Sequence, residues 1–283
     1  SRFSGSDMKY TTDSQGRFRL PVLPGPGYLL VNAPTVDYVH KQLSLGARWD
    51  GKEGLQREYY DGVVKLRLTQ GEHPDPLTIE LERGVTLRRK VVLPDGKPVE
   101  GVAYTRSYLQ FRNDINSWLP EIPIENGVLE VPGCDPAHPN PVFIVDKAGK
   151  FGATVSLAAD ADDRPIVLEP SGQARFRFVD EQGKPIPGYE PRPFVVVTPG
   201  APATHHVESN QPLWVDSMVW VNVRRKERPK TDADGRVTVN GLLPGAIYRL
   251  MYAKKNMWTD GHEFVVRSGE TTDVGDVMLS KRR

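Results

Sequence analysis

The sequence predicts an all-β protein made of antiparallel β-sandwich units in tandem. Three observations carry this: apolar and polar residues alternate with period two, turn motifs recur along the chain, and turn formers are abundant. In Val64-Lys-Leu-Arg-Leu-Thr69 and in Ala174-Arg-Phe-Arg-Phe178 the alternation is strict. Such a pattern buries one face of a strand and wets the other, as in an antiparallel sandwich. Val85, Leu87, Val91 and Leu93 fall on one face of a further segment, with Arg89 the exception. With 26 glycines and 25 prolines in 283 residues, the chain carries too many breakers for a helical bundle. Only Val36–Leu45 has helical spacing, over a short stretch.

The elements order into a repeated unit. Val91-Val-Leu-Pro-Asp-Gly-Lys-Pro-Val-Glu-Gly101 matches Phe178-Val-Asp-Glu-Gln-Gly-Lys-Pro-Ile-Pro-Gly188, with Gly96 and Gly183 equivalent and 87 residues apart. Each reads as a strand, a Gly-Lys-Pro turn and a second strand. The glycine supplies positive φ, and the flanking prolines sit where ladder bonds end. Next comes an Asp-x-x-Gly-Arg turn, at Asp13 and Asp232, followed by a strand, a Leu-x-Pro-Gly-type turn and an apolar strand. Glu125-Asn-Gly-Val-Leu-Glu-Val-Pro-Gly133 is a weaker third copy. Leu77–Leu81, Ile166–Glu169 and Val274–Leu279 are read as closing strands. Units therefore span 1–82, 83–170 and 171–283. The first has only the second half of the pattern, and the opening SRFSGSDMKY has neither a signal-peptide core nor an initiating Met. The expectation is a chain that begins inside a repeat. Its exposed sheet edge would be completed by preceding residues or by a neighbouring chain.

Composition narrows the functions. Hydrophobic residues make up 38% and charged residues 26%, which suits a folded domain array. Lys+Arg 37 against Asp+Glu 36 leaves a net charge of +1, so no overall basic field exists for nucleic acid. No window approaches 18 consecutive apolar residues. A single cysteine, Cys134, excludes an intrachain disulfide.

The motifs resemble the carboxypeptidase regulatory-like domains found in tandem in large planctomycete-type bacterial proteins. The resemblance rests on TTDSQGRFRLPVLPGPGYLLV, RGVTLRRKVVLPDGKPVEG and TDADGRVTVNGLLPGAIYRL. It touches all three units and is strongest in 1–31, 83–101 and 231–252. It implies a seven-stranded transthyretin-like or Ig-like sandwich per unit, in an exported or surface protein. It implies little chemistry, because the family is named after a non-catalytic domain appended to a peptidase. The middle unit departs from the pattern: Asn126-Gly-Val stands in place of Asp-x-x-Gly-Arg-Phe, and Cys134-Asp-Pro-Ala-His-Pro-Asn-Pro follows its Pro-Gly.

Candidate chemistry is sparse. There is no His-Glu-x-x-His, and adjacent His205 and His206 would point to opposite faces if extended. No Gly-x-Ser-x-Gly elbow occurs. Cys134 and His138 are close in sequence, but a catalytic pair needs spatial closeness, and a small core thiol is the plainer reading. Asp232 with Asp234, and Asp160 with Asp162 and Asp163, place carboxylates close together on turns, and by charge alone they suit calcium. Neither run has a downstream bidentate acid, and Asp capping its own turn is the plainer reading. Arg224–Lys230 carries five positive charges and one negative, with Trp214 and Trp220 upstream, and reads as a solvated loop.

Aromatic residues in loops are the best lead. Trp49, Tyr59 and Tyr60 lie in the polar, glycine-bearing stretch 46–61, Trp118 follows Asn113-Asp-Ile-Asn-Ser, and Trp258 precedes Thr259-Asp-Gly. Flat rings beside Asn and Asp stack on sugars or anchor a protein partner. Alternatively they cap the sandwiches. The expectation is a non-catalytic array for binding, adhesion or spacing, with a protein or glycan partner and no cofactor, metal or nucleic acid. The alternatives are a carbohydrate-binding module and a loop-based hydrolase accessory domain.

Overall fold

The structure is a computed structural model that describes residues 10–44, 57–72, 75–105, 121–160, 163–191, 193–197, 229–250, 252–254, 257–259 and 263–279. Among them every regular element is a strand. The first four are β1 (Gly25–Val31), β2 (Lys41–Ser44), β3 (Arg57–Tyr60) and β4 (Gly62–Leu68). Next come β5 (Val85–Val92), β6 (Gly101–Tyr104), β7 (Ile122–Glu125), β8 (Val128–Cys134), β9 (Asn140–Asp146), β10 (Phe151–Leu157), β11 (Ile166–Val167) and β12 (Glu169–Pro170). The rest are β13 (Gly172–Val179), β14 (Pro193–Val197), β15 (Arg236–Leu242), β16 (Ile247–Leu250), β17 (Tyr252–Lys254), β18 (Met257–Thr259), β19 (Glu263–Val265) and β20 (Thr271–Met278).

Residues 85–170 and 172–278 repeat one plan. β5 lies between antiparallel β8 and parallel β11, and β13 between antiparallel β15 and parallel β20. β6–β9–β10 continues the sheet of β5 through β8 and β7, and β14–β16–β19 is a three-stranded sheet of its own. Both Gly-Lys-Pro turns close on the same bonds. Leu93 N–H donates to Lys97 O at 2.8 Å and Gly96 N–H to Leu93 O at 2.9 Å; Asp180 N–H donates to Lys184 O and Gly183 N–H to Asp180 O, both at 2.9 Å. Gly96 at φ 83° and Gly183 at φ 76° occupy a region that L side chains rarely adopt. The irregular middle copy follows the same plan. Val91 N–H donates to Gly127 O as Phe178 N–H donates to Gly235 O, each at 2.8 Å. Asn126-Gly127, both at positive φ, thus stand where Asp-x-x-Gly stands elsewhere.

Each plan encloses a core. One packs Leu87, Val91, Leu129, Val131, Val142, Ile144 and Leu168. The other packs Phe176, Phe178, Val237, Val239, Tyr248, Leu250 and Phe264. Alternation explains both, since the intervening Arg175, Thr238 and Glu130 are exposed. β9 departs from alternation: Asn140 through Ile144 are all buried. Val142 and Ile144 fill their own core, while Phe143 turns the opposite way into the Phe176–Tyr248 core. The continuous apolar run of β9 is the signature of a strand buried on both faces. A Cβ at Gly152, next to β9, would collide with the Leu243 side chain.

Five expectations need correction. Val85 is 38% exposed, because the register between β5 and β8 shifts between Val85 and Leu87 and turns it outward. Val36–Leu45 forms no helix where it is described; Lys41–Ser44 is strand β2. Residues 85–170 hold eight strands, one more than the resemblance implies, because β11 and β12 are two-residue pieces. Leu77–Leu81 is not a strand, and neither is Arg17–Leu20 despite its alternation. The counterparts of these two segments flank β5 and β13, and among the described residues neither 17–20 nor 77–81 is paired in a ladder. The described residues of 10–82 form two two-stranded ladders, β1–β4 and β2–β3. None of residues 10–38 is buried, and neither core draws a member from 10–82.

Candidate binding surface

The turn carboxylates are occupied by backbone. Asp232 Oδ1 accepts Asp234 N–H at 2.9 Å and Arg236 N–H at 2.8 Å. Asp13 Oδ1 accepts Gln15 N–H and Arg17 N–H, both at 2.9 Å, and Asp180 Oδ1 accepts Gln182 N–H and Lys184 N–H at 3.0 Å. Each side chain mimics one more turn of backbone and holds the loop shut. The Arg17 N–H, followed by the Gln15 N–H, holds the Asp13 carboxyl below the usual range. Asp162 lies outside the described residues. Among the described residues no three His, Cys, Asp or Glu side chains gather closely enough to hold a metal ion.

Cys134 and His138 have different surroundings. The Cys134 thiol is buried at the end of β8 and donates to Val131 O at 3.4 Å. His138 is exposed, its Nδ1 2.8 Å from Asp135 Oδ2. Asn140 knits this bend together, its Nδ2 donating to Asp135 O at 3.0 Å and to His138 O at 2.9 Å. The run of Pro, Asp and Asn that marks the middle copy therefore builds a self-bonded turn.

Of the five aromatic candidates, Trp49 and Trp118 lie outside the described residues, and so do the side chains of Tyr59 in β3 and Trp258 in β18. Tyr60 is buried at 5% exposure and offers no ring to solvent. It begins a feature that sequence reasoning missed. Asp61, also buried, accepts Ala33 N–H on Oδ2 at 2.6 Å and meets His40 Nδ1 with Oδ1 at 2.9 Å. This pins the 33–40 segment onto the start of β4. Twenty-one residues separate His40 from Asp61, so no local pattern could announce the pair.

The open part of the surface is in residues 10–81. Val22, Leu23, Val36 and Leu77 are between 44% and 61% exposed. Ile79 and Leu81 lie over Gly62 on the face that carries Val31, where a Cβ would touch all three. These side chains are half-buried at most, unlike their counterparts further along the chain.

The fold is that of an all-β protein of tandem antiparallel, Ig-like sandwiches. No family model matches the chain, so the likeness to carboxypeptidase regulatory-like domains rests on its turns alone. No curated protein matches it in sequence. Among solved structures it is similar to the Bacillus anthracis TIE protein, at 10% identity and TM-score 0.24, over 78% of this chain and 37% of that one. It is also similar to a streptococcal ancillary pilin, at 15% identity and TM-score 0.27, over 78% and 70% of the two chains. BcpA, the major pilin subunit of Bacillus cereus, matches at 11% identity and TM-score 0.22, over 89% and 99%. The chain thus spans well under half the length of the TIE protein. Among the described residues no helix is long and apolar enough to cross a membrane.

Proposed function

We propose that the chain is a non-catalytic array of carboxypeptidase regulatory-like units, over 1–82, 83–170 and 171–283, that serves binding, adhesion or spacing in an exported or surface protein. The observation that supports this reading is the contact between successive units. Phe143 of one shares the core of the next, and Gly152 is seated against Leu243. At the other junction Gly84 N–H donates to Asp37 O at 2.8 Å, and a Cβ at Gly133 would collide with Val36 O. Glycines at such close approaches hold neighbours in fixed relation, which suits a spacer that presents its loops. Trp49, Tyr59, Trp118 and Trp258, of which Tyr59 and Trp258 stand on strands β3 and β18, are the proposed contact residues for a protein or glycan.

Binding of the whole chain to immobilised glycan and protein panels, with product analysis, tests the reading. Saturable binding without turnover is expected. Trp49→Ala or Trp118→Ala should weaken it about ten-fold, a typical anchor-ring effect of ~1–2 kcal/mol. Turnover of a panel member, or binding that ignores all four rings, overturns it.

A further inference from the structure

We infer that residues 172–278 are the load-bearing unit of the array, and that residues 85–170 yield first under tension and let the chain lengthen. The inference rests on the adhesion or spacing role proposed above. A pull on a tandem chain loads each unit through its first and last strands. In residues 172–278 these are β13 and β20, which pair with each other, parallel, over seven steps from Gln173–Thr271 to Val179–Met278. Gln173 N–H donates to Glu270 O and Leu279 N–H to Val179 O, both at 2.8 Å, and these bonds extend the ladder at its two ends. The chain enters at one end of this ladder and leaves at the other. Tension therefore runs along the strands and across the hydrogen bonds, and the rungs share it. Side chains add rungs of their own. Arg175 Nη2 donates to Asp273 Oδ2 at 2.7 Å, Arg177 Nη1 to Asp276 Oδ2 at 2.8 Å and Thr271 Oγ1 to Gln173 Oε1 at 3.3 Å.

The same place in residues 85–170 is built differently. β5 and β11 are also parallel, but they pair only at Val91–Ile166 and Val92–Val167, with Leu168 N–H donating to Val92 O at 2.9 Å. Ile166 and Val167 have no polar side chain to add. The chain then leaves through β12, which pairs with β10 only at Gly152–Glu169 and Phe151–Pro170, with Ser171 N–H donating to Lys150 O at 2.8 Å. Two short ladders in series thus stand where one long ladder stands in the next unit. Ladders in series give way one after the other, whereas the rungs of a single ladder hold together. Phe143, which joins the two cores, is off this path, because β9 pairs with neither β13 nor β20.

Constant-force stretching of the full chain, held by handles at its two ends, is the test. At ~3.3 Å per residue, release of 85–170 lengthens the chain by about 280 Å and release of 172–278 by about 350 Å, less the folded spans. The longer step should come last, after a lifetime about ten-fold or more that of the shorter one, since forced unfolding follows the unfolding rate. A second pair of handles, on Gln173→Cys and Asn240→Cys of the full chain, pulls at two residues that face each other in the antiparallel β13–β15 ladder. The buried Cys134 thiol stays unlabelled. These handles peel the ladder rung by rung, and residues 172–278 should open about ten-fold or more faster than with end handles at the same force. Three results overturn the inference: the longer step first, both steps as one, or side handles that open 172–278 no faster than end handles. None of them bears on the panel-binding test above, so the two readings fail separately.

Discussion

Residues 10–23 and 229–242 start with the same turn and end in different places. In both, an Asp side chain accepts two backbone N–H groups and a glycine takes positive φ. Beyond the turn, Val237 and Val239 are 7% and 1% exposed, whereas Phe18 and Leu20 are not buried. A turn is made by four or five neighbouring residues and needs nothing from afar. A buried strand face needs another layer, and a ladder needs a partner strand. The same local code therefore yields a closed sandwich in one place and an open edge in the other.

The comparison predicts its own largest effect. Phe176 lies 5.2 Å from Phe264 and 5.9 Å from Phe178, ring to ring, and is 1% exposed. Phe176→Ala should cost residues 172–278 ~3–5 kcal/mol, as a cavity in a filled core does. Leu66→Ala, on the half-exposed face of β4, should cost about 1 kcal/mol or less. Urea unfolding read by hydrogen exchange in each segment measures both. Equal costs would mean that the 10–82 face is as well covered as the others.

Glycines give the next step. Gly235→Ala places a methyl group against Phe178 O at positive φ, which should cost more than ~2 kcal/mol because backbone must move. Gly16→Ala meets only the conformational penalty, roughly 1–2 kcal/mol. Gly152→Ala should fall between them: its methyl group meets the movable Leu243 side chain but also Ile144 O at 2.9 Å. Looser coupling between the 85–170 and 172–278 unfolding transitions should accompany it, since β9 and β10 are the seat of that junction.

Most strands and turns were legible because both signals are local. Ala174–Phe178 shows its alternation in five residues, and the Gly-Lys-Pro turns show theirs in three. The failures were non-local. Leu77–Leu81 has strand composition without a ladder. Val85 turns outward at a register shift that depends on β8. His40 and Asp61 meet at the open end of the β2–β3 pair, one step beyond Lys41 and Tyr60. Of the candidate binding surface, only the aromatic content of 46–61 was readable. The burial of Tyr60 depends on what folds over it, and a Cβ at Gly16 would meet nothing within 4 Å where one at Gly127 or Gly235 would meet backbone.

The smallest effects separate two ways of holding a carboxylate. Asp273 sits 2.7 Å from Arg175, and that side-chain bond comes first among the causes that hold its carboxyl below the usual range, followed by Gly275 N–H. Asp13 also pairs with its arginine, at 3.0 Å, yet the Arg17 and Gln15 backbone N–H groups come first. A carboxyl lowered in the folded state stabilises above its unfolded value, near pH 4, and that contribution is lost as pH falls through the folded value. Both contributions are therefore complete at neutral pH and vanish in acid. Their response to mutation differs. Arg175→Gln should raise the Asp273 value part of the way to normal, since Gly275 N–H still donates. Arg17→Gln should leave Asp13 low, because the substitution keeps the amide that matters most. Added salt should act likewise, screening the exposed Asp273 pair more than the backbone bonds of Asp13. Carboxyl-carbon NMR titration of both variants reads the shifts. An Asp13 value that rises as far as that of Asp273 would show the guanidinium, and not the turn backbone, to be its principal partner.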